Sequence, residues 1–202
     1  MVFPKNNEAE FVEIAAKLSL KKIYFLYDFD QYNEEKIKKK LESITNNNIN
    51  VEFGFIVNQK NIKSAIKQTK SIVAKSSEND RAFIESKNVR LIFGFEETHK
   101  KDYLHQRASG LNHIICEIAN KNDVVLGFPY GSLLDKNNKE MSLLLGRMIQ
   151  NINLCRKYKA KTAIGCFSSD PYKLRAPHDL MSLFGMLGMD AKTIKGALSI
   201  DL

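Results

Sequence analysis

Short apolar, β-branched runs alternate with amphipathic stretches along the whole chain. The runs are Lys22–Tyr27, Val51–Val57, Ser71–Ala74, Val89–Phe93, Val124–Phe128 and Thr162–Phe167. Most are apolar at consecutive positions, the pattern of strands covered on both faces. Between them, apolar residues recur at helical spacing. Glu8–Leu18 gathers Phe11, Ile14, Ala15 and Leu18 on one side, and Glu34–Ile44 gathers Ile37, Leu41 and Ile44. Asn61–Lys70 is a weaker helix. Ser77–Glu85 opens on a capping-box variant, with Asp80 three residues after Ser77. Leu111–Ala119, Glu140–Tyr158 and His178–Leu187 are the clearest helices. Pro177 suits the first turn of the last of these and Gly188 its stop. Asp190 is placed to cap a short final helix, Ala191–Ala197.

Six strands separated by helices predict βα units and a parallel sheet. One solution is an irregular TIM-like (β/α) barrel. It would be compact, because eight helical segments share 202 residues where such barrels typically take about 250. Its first strand would be the very short Met1–Phe3, and an eighth strand is hard to place. The other solution is an open doubly wound sheet. No linker or composition break divides the chain, so a single α/β domain over 1–202 is expected.

Charge narrows the choice of partner. Lys plus Arg is 31 against 23 for Asp plus Glu, a net charge of +8. The excess is concentrated. Residues 147–175 carry Arg147, Arg156, Lys157, Lys159, Lys161, Lys173 and Arg175 against Asp170 alone, a net of +6. Such a balance favours a polyanion, nucleic acid first, although Lys-rich helix faces are often merely solvated. The three cysteines, Cys116, Cys155 and Cys166, sit in apolar segments without CxxC spacing. They read as buried reduced thiols in a cytoplasmic protein, not as disulfide or zinc partners. No signal pattern opens the chain, and no apolar run nears the roughly 18 residues of a membrane span.

In either architecture, chemistry belongs just after the strands. Asp28 and Asp30 follow the first, the 75–81 segment the third, and Ser168–Asp170 the sixth. Glu96, His99, His105 and Arg107 follow the fourth. With His113, the acids and histidines are the raw material for a metal-dependent phosphoesterase. No HxH, HExxH or DxH pattern organises them, so no metal site on this chain is expected. GxSxG and phosphate-cradling glycine loops are also missing. Arg107 precedes Ser109-Gly110 and an expected helix start, where free N–H groups would add to phosphate binding. No RRM, KH or double-stranded-RNA signature is present, and most aromatics lie in strands. Phosphate contacts to structured RNA are the natural form of a nucleic-acid reading.

Three blocks in order carry a resemblance. The first is Arg107-Ala108-Ser109-Gly110-Leu111-Asn112-His113-Ile114, followed by Ala119–Asn122 and Val125–Phe128. The second is Asn151–Lys159, and the third Leu174-Arg175-Ala176-Pro177-His178-Asp179-Leu180 with Leu187-Gly188-Met189. Together they resemble the ribonuclease P protein component 3 family, well over residues 70–200 and more loosely before. The resemblance implies an irregular barrel of the polymerase-and-histidinol-phosphatase (PHP) type. It also implies a subunit of the ribonucleoprotein that trims the 5′ leader from precursor tRNA. Catalytic magnesium would sit on the RNA subunit, with no cofactor on this chain and no catalysis by the isolated chain. Expected partners are ribonuclease P RNA, precursor tRNA, ribonuclease P protein component 2 and other ribonuclease P proteins, with no membrane. Carried over to this sequence, the RNA-contact candidates are Arg107, His113, Lys121, Arg156, Lys159 and Arg175. Asn112 belongs to the first block, and Asp179, in the third, reads as helix-terminus structure. The chain departs from the family between Gly165 and Asp170, where a Ser-Gly-Ala turn is usual and Gly-Cys-Phe-Ser-Ser-Asp stands here. The alternatives are a metal-dependent phosphoesterase of the PHP type and a protein-interaction barrel with little RNA contact.

Overall fold

The computed structural model of the chain describes residues 1–31, 33–44 and 49–200. Tyr32, 45–48 and 201–202 within the expected 1–202 domain lie outside the described residues. Among the described residues there are six strands: β1 (Lys22–Asp28), β2 (Asn50–Val57), β3 (Ile72–Lys75), β4 (Leu91–Phe93), β5 (Val125–Pro129) and β6 (Thr162–Gly165). The helices are α1 (Glu8–Lys17), α2 (Glu34–Glu42), α3 (Ile62–Gln68), α4 (Asp80–Glu85), α5 (His113–Asn122), α6 (Asn138–Tyr158), α7 (Pro177–Met186) and α8 (Ala191–Leu198).

Every strand pairs in parallel with its successor, in the order β1-β2-β3-β4-β5-β6. A doubly wound sheet reverses its order at a switch point. This one never does, which removes the open alternative. The sheet curls instead. Phe93, on β4, and Phe167, just past β6, lie two strands apart yet stack at 4.2 Å between centroids with 13° between planes. Phe3 packs against both, at 5.8 and 6.0 Å. Tyr24, Leu26, Val73, Leu91, Val125 and Ala163 complete this inner cluster. Glycines make room for the rings: a Cβ on Gly127 would come within 2.8 Å of the Phe93 Cβ, and one on Gly165 within 2.6 Å of the Phe167 ring. Small opposite large is how a narrow curled sheet fills its concave face.

The other sheet face meets the helices in a larger core that includes Phe11, Phe25, Phe55, Ile92, Leu126, Met148 and Phe184. The expected barrel is therefore a six-stranded half-barrel with β1 and β6 at its edges. The expected first strand is not a named strand. Met1–Phe3 forms one bridge, Val2 to Phe25. Its backbone bonds to Tyr24 and Leu26 on β1 and to Phe167 and Ser168 past β6.

Helix starts follow local chemistry. Asn33, Asn112, Asn137 and Asp190 each accept from the backbone N–H three residues on, at 2.9–3.0 Å. Ser77 does not cap α4. Asn79 takes the cap position, and Asp80 instead accepts from the Ser77 N–H (2.8 Å) and the Ser76 hydroxyl (2.6 Å). Asp179 lies in the first turn of α7, as a helix-terminus acid should. All three cysteines are buried and unpaired.

Candidate nucleic-acid interface

The longest described connection at the C-terminal ends of the strands runs from β4 to α5. It turns out of β4 at Gly94 (φ +84°), makes a short 3-10 turn at Phe95–Glu97, and turns again at Gly110 (φ +81°). Both glycines sit in the left-handed region. At Gly110, a Cβ would also strike the Phe95 carbonyl. The helix begins at His113, not Leu111, because Asn112 is the cap. Ser109 and Gly110 are thus not at a helix start, and Ser109 has partners of its own.

One face of α6 holds this loop. Arg147 is 1% exposed, the largest fully buried side chain among the described residues. Its Nε donates to Asp102 Oδ1 at 2.8 Å, and its Nη1 to the carbonyls of Glu96 and His99, both at 2.7 Å. Four residues on, and so on the same face, Asn151 Nδ2 donates to Glu96 Oε1 (2.7 Å) and to the Ser109 carbonyl (2.8 Å). Gln150 Nε2 donates to Ser109 Oγ at 3.0 Å, and the Ala108 N–H to Asp102 Oδ1 at 2.9 Å. Both ends of the loop are thereby tied to one helix. The cost of burying the guanidinium is offset by a carboxylate and two carbonyls, the condition under which a buried ion can be tolerated.

The two acids respond differently. Burial alone would raise the Asp102 carboxyl, but hydrogen bonds from Arg147 and Ala108, with the charges of Arg147 and Arg107, hold it below its ordinary range. Glu96 is pushed up to about 7, chiefly by burial, against the opposing hydrogen bond from Asn151. Glu96 Oε2, Asn151 Oδ1 and Arg147 Nη2 are buried without a protein partner. Protonation turns Glu96 Oε2 into a donor and leaves Asn151 Oδ1 as the lone acceptor of the cluster.

Above the clasp the loop surface is cationic. Thr98–Lys101 and Tyr103–Arg107 are exposed, among them Lys100, Lys101, His105 and Arg107. Arg107 lies over Gly146, where a Cβ would collide with its guanidinium, and approaches Asp102 Oδ2 at 3.8 Å.

The six candidates do not form one cluster. Arg107 and Arg175 follow strands, at the C-terminal end of the sheet. Arg175 directs Nη1 to the carbonyls of Tyr172 and Leu174, and its N–H to the Tyr130 hydroxyl. Lys121, in the last turn of α5, and Arg156 and Lys159, at the end of α6, lie at the opposite end. Arg156 donates to Asn153 Oδ1 (2.8 Å) and reaches the Gly188 carbonyl (3.4 Å), while Lys159 is the left-handed cap of α6. His113, exposed at the start of α5, has its ring 6.2 Å from that of Tyr158.

The RNase P subunit p30 family model matches residues 100–201. The chain belongs to the RNase P subunit p30 family. Ribonuclease P protein component 3 of a Methanococcus maripaludis strain is 27% identical over 159 residues, 75% of this chain and 66% of that protein. The same component from Methanothermobacter thermautotrophicus is 21% identical over 194 residues, 92% of this chain and 77% of that one. The chain thus spans just under two thirds of the Methanococcus relative. In a solved structure described as a cryo-EM structure of archaeal ribonuclease P with mature tRNA, one chain superposes with a TM-score of 0.77 at 20% identity. That match covers 97% of this chain and 86% of the other. At that identity the likeness establishes the fold.

The p30 match contains all six candidates, and Asp102, Arg147 and Asn151 as well. Outside it, the ends of β1–β3 open onto two cavities of about 570 and 540 Å³ that share Asp28 and Ile56. Lys5, Lys36 and Lys40 line the first, Lys60 and Lys75 the second. Lys75 belongs to the 75–81 segment that follows the third strand, whereas the other four are scattered along the chain and carry no sequence signal. Among the described residues, no three His, Cys, Asp or Glu side chains gather to hold a metal ion. Of the acids and histidines considered for that role, Asp30 accepts from the Asn61 side chain (2.9 Å). Glu96 is buried under α6, and His99 and His105 sit on the exposed loop.

Proposed function

We propose that this chain is a protein subunit of ribonuclease P, supporting a catalytic RNA in endonucleolytic removal of the 5′ leader from precursor tRNA. The observation that carries the reading is the p30 match over residues 100–201, which takes in most of the clasped loop and every candidate cation. The relatives' name and the solved assembly's tRNA point the same way. The finer fold in this reading is an irregular TIM-like barrel of the PHP type, one domain over 1–202. The strictly sequential sheet and the Met1–Phe3 segment between its edges support it.

The mechanism is electrostatic and architectural. Arg107 and Arg175 at one end, Lys121, Arg156 and Lys159 at the other, and His113 beside Tyr158 contact RNA phosphates. Neutralising them lets the RNA reach its active shape at lower magnesium. The magnesium belongs to the RNA, and this chain binds no cofactor. Partners are the ribonuclease P RNA, precursor tRNA, ribonuclease P protein component 2 and further ribonuclease P proteins. Three buried unpaired thiols support a cytoplasmic location.

The test is precursor-tRNA cleavage at low magnesium by ribonuclease P RNA, with this chain, with component 2, with both, and with both proteins but no RNA. Cleavage stimulated only when both proteins and the RNA are present is the expected result. Cleavage by the proteins without RNA would place an active site on protein and overturn the reading.

A further inference from the structure

We propose that Tyr103 and Leu104, at the tip of the loop between β4 and α5, stack on an unpaired nucleobase of structured RNA. The inference rests on the RNA-binding reading above and adds a kind of contact that phosphate neutralisation does not include. Tyr103 is 60% and Leu104 91% exposed. Single exposed apolar residues are ordinary. These two are adjacent, and they stand on a loop whose base is fixed from below. The Arg147 and Asn151 bonds hold Glu96, His99, Asp102 and Ser109. The tip itself closes through the Tyr103 N–H to the Gln106 carbonyl at 2.9 Å. The His99 ring lies 6.3 Å from that of Tyr103. A rigid aromatic tip loses little freedom on binding.

The surroundings select the ligand. Lys100, Lys101, His105 and Arg107 flank the tip and are all exposed. Protein interfaces are depleted of lysine, and two exposed side chains are far short of the roughly 20–30 residues a side that a stable protein contact uses. An aromatic face flanked along the chain by the cations Lys100, Lys101 and Arg107 matches a base with its flanking phosphates. The base must be unpaired, because in a duplex its faces are already stacked, whereas loops and bulges splay theirs out.

The experiment measures affinity of the full chain for ribonuclease P RNA over a salt series. Wild type is compared with a Tyr103→Ala, Leu104→Ser double variant, with Tyr103→Trp, and with Lys100→Ala. The double variant should bind about tenfold more weakly with an unchanged slope of log affinity against log salt, since no phosphate contact is lost. Tyr103→Trp should keep wild-type affinity. Lys100→Ala should lower the slope by about one. Both tip side chains are exposed, so melting temperatures should stay together. Wild-type affinity in the double variant, with a steep wild-type slope, overturns the tip assignment and leaves the RNA-binding reading standing. No RNA binding by wild type, alone or together with component 2, removes both. Unchanged RNA affinity with loss of co-purification with component 2 makes the tip a protein contact and likewise overturns the proposal.

Discussion

Asp102 is shared by two arginines in very different surroundings. Arg147 reaches Oδ1 at 2.8 Å from inside α6 and is 1% exposed, whereas Arg107 approaches Oδ2 at 3.8 Å from the loop, its side chain 49% exposed. The first is part of the architecture, with its fork aimed at a carboxylate and two backbone carbonyls. The second lies over Gly146 and faces solvent. In a count of charges the two are identical. The basic run over residues 147–175 in fact begins with a cation that no partner can reach. What a surface offers a polyanion is the charge left after the fold has taken its share.

The sharpest way to break this contrast is Arg147→Met. Asp102 would keep only the looser approach of Arg107, and the carbonyls of Glu96 and His99 would lose their donor. Breaking a buried pair in this way typically costs about 3–5 kcal/mol. Urea unfolding should show a midpoint far below wild type, and limited proteolysis should cut first within residues 98–107. Arg147→Lys keeps the charge but not the fork, and should recover only part of the loss. A midpoint shift under about 1 kcal/mol for Arg147→Met would mean that the loop is held by something other than the clasp.

Next in size is a pH effect confined to the buried side of the comparison. Glu96 has an ordinary value of 4.5 and is raised to about 7 in the fold. Between those limits the unfolded chain gives up a proton that the folded chain retains, so stability falls as pH rises from about 4.5 to about 7 and levels off above. The loss is at most about 3 kcal/mol. Glu96→Gln keeps an acceptor for Asn151 and has no proton to lose. Its stability should be flat through that window and exceed wild type at about pH 8. An equally steep decline in the variant would move the titration to another group.

These two residues also mark what the sequence makes legible. Mostly apolar strands announce themselves, and all six named strands appear where the apolar runs lie, although β2 is buried only in part. Their ends do not. The sixth run continues to Phe167, but β6 stops at Gly165, because Phe167 takes a left-handed φ of +48° and stacks its ring on Phe93. The half-barrel depends on such long-range ring contacts, which periodicity does not report. The division of the candidate cations between two ends follows from topology alone, since strand exits and helix ends face opposite ways. The burial of Arg147 had a local signal too. Leu144, Arg147, Met148, Asn151, Ile152 and Cys155 recur at helical spacing on the buried face of α6. A charged residue within that stripe has to find partners inside. Which partners could not be read, because they lie 45–51 residues away on a loop without periodic structure. Tyr103 and Leu104 gave no periodic signal at all, and their exposure is visible only once the loop is closed around Asp102.

The smallest expected effects lie on the exposed side, where stability and binding can be made to move in opposite directions. Arg107→Ala removes a long, half-exposed contact and should cost less than about 1 kcal/mol of stability. Under the proposed function it should still lower the salt slope of RNA affinity by about one. Gly146→Ala reaches the same arginine without touching its charge. Gly146 lies inside α6, where alanine is favoured over glycine by about 0.5–1 kcal/mol. Its added Cβ would occupy the place of the Arg107 guanidinium, the mobile end of a long side chain that can swing aside. The variant should therefore melt slightly higher than wild type and bind RNA more weakly, as a displaced cation would require. If it gains stability and keeps full affinity, the resting position of Arg107 over α6 does not matter for binding. Loss of stability would mean instead that Arg107 cannot leave, and that it belongs with Arg147 to the architecture of the loop.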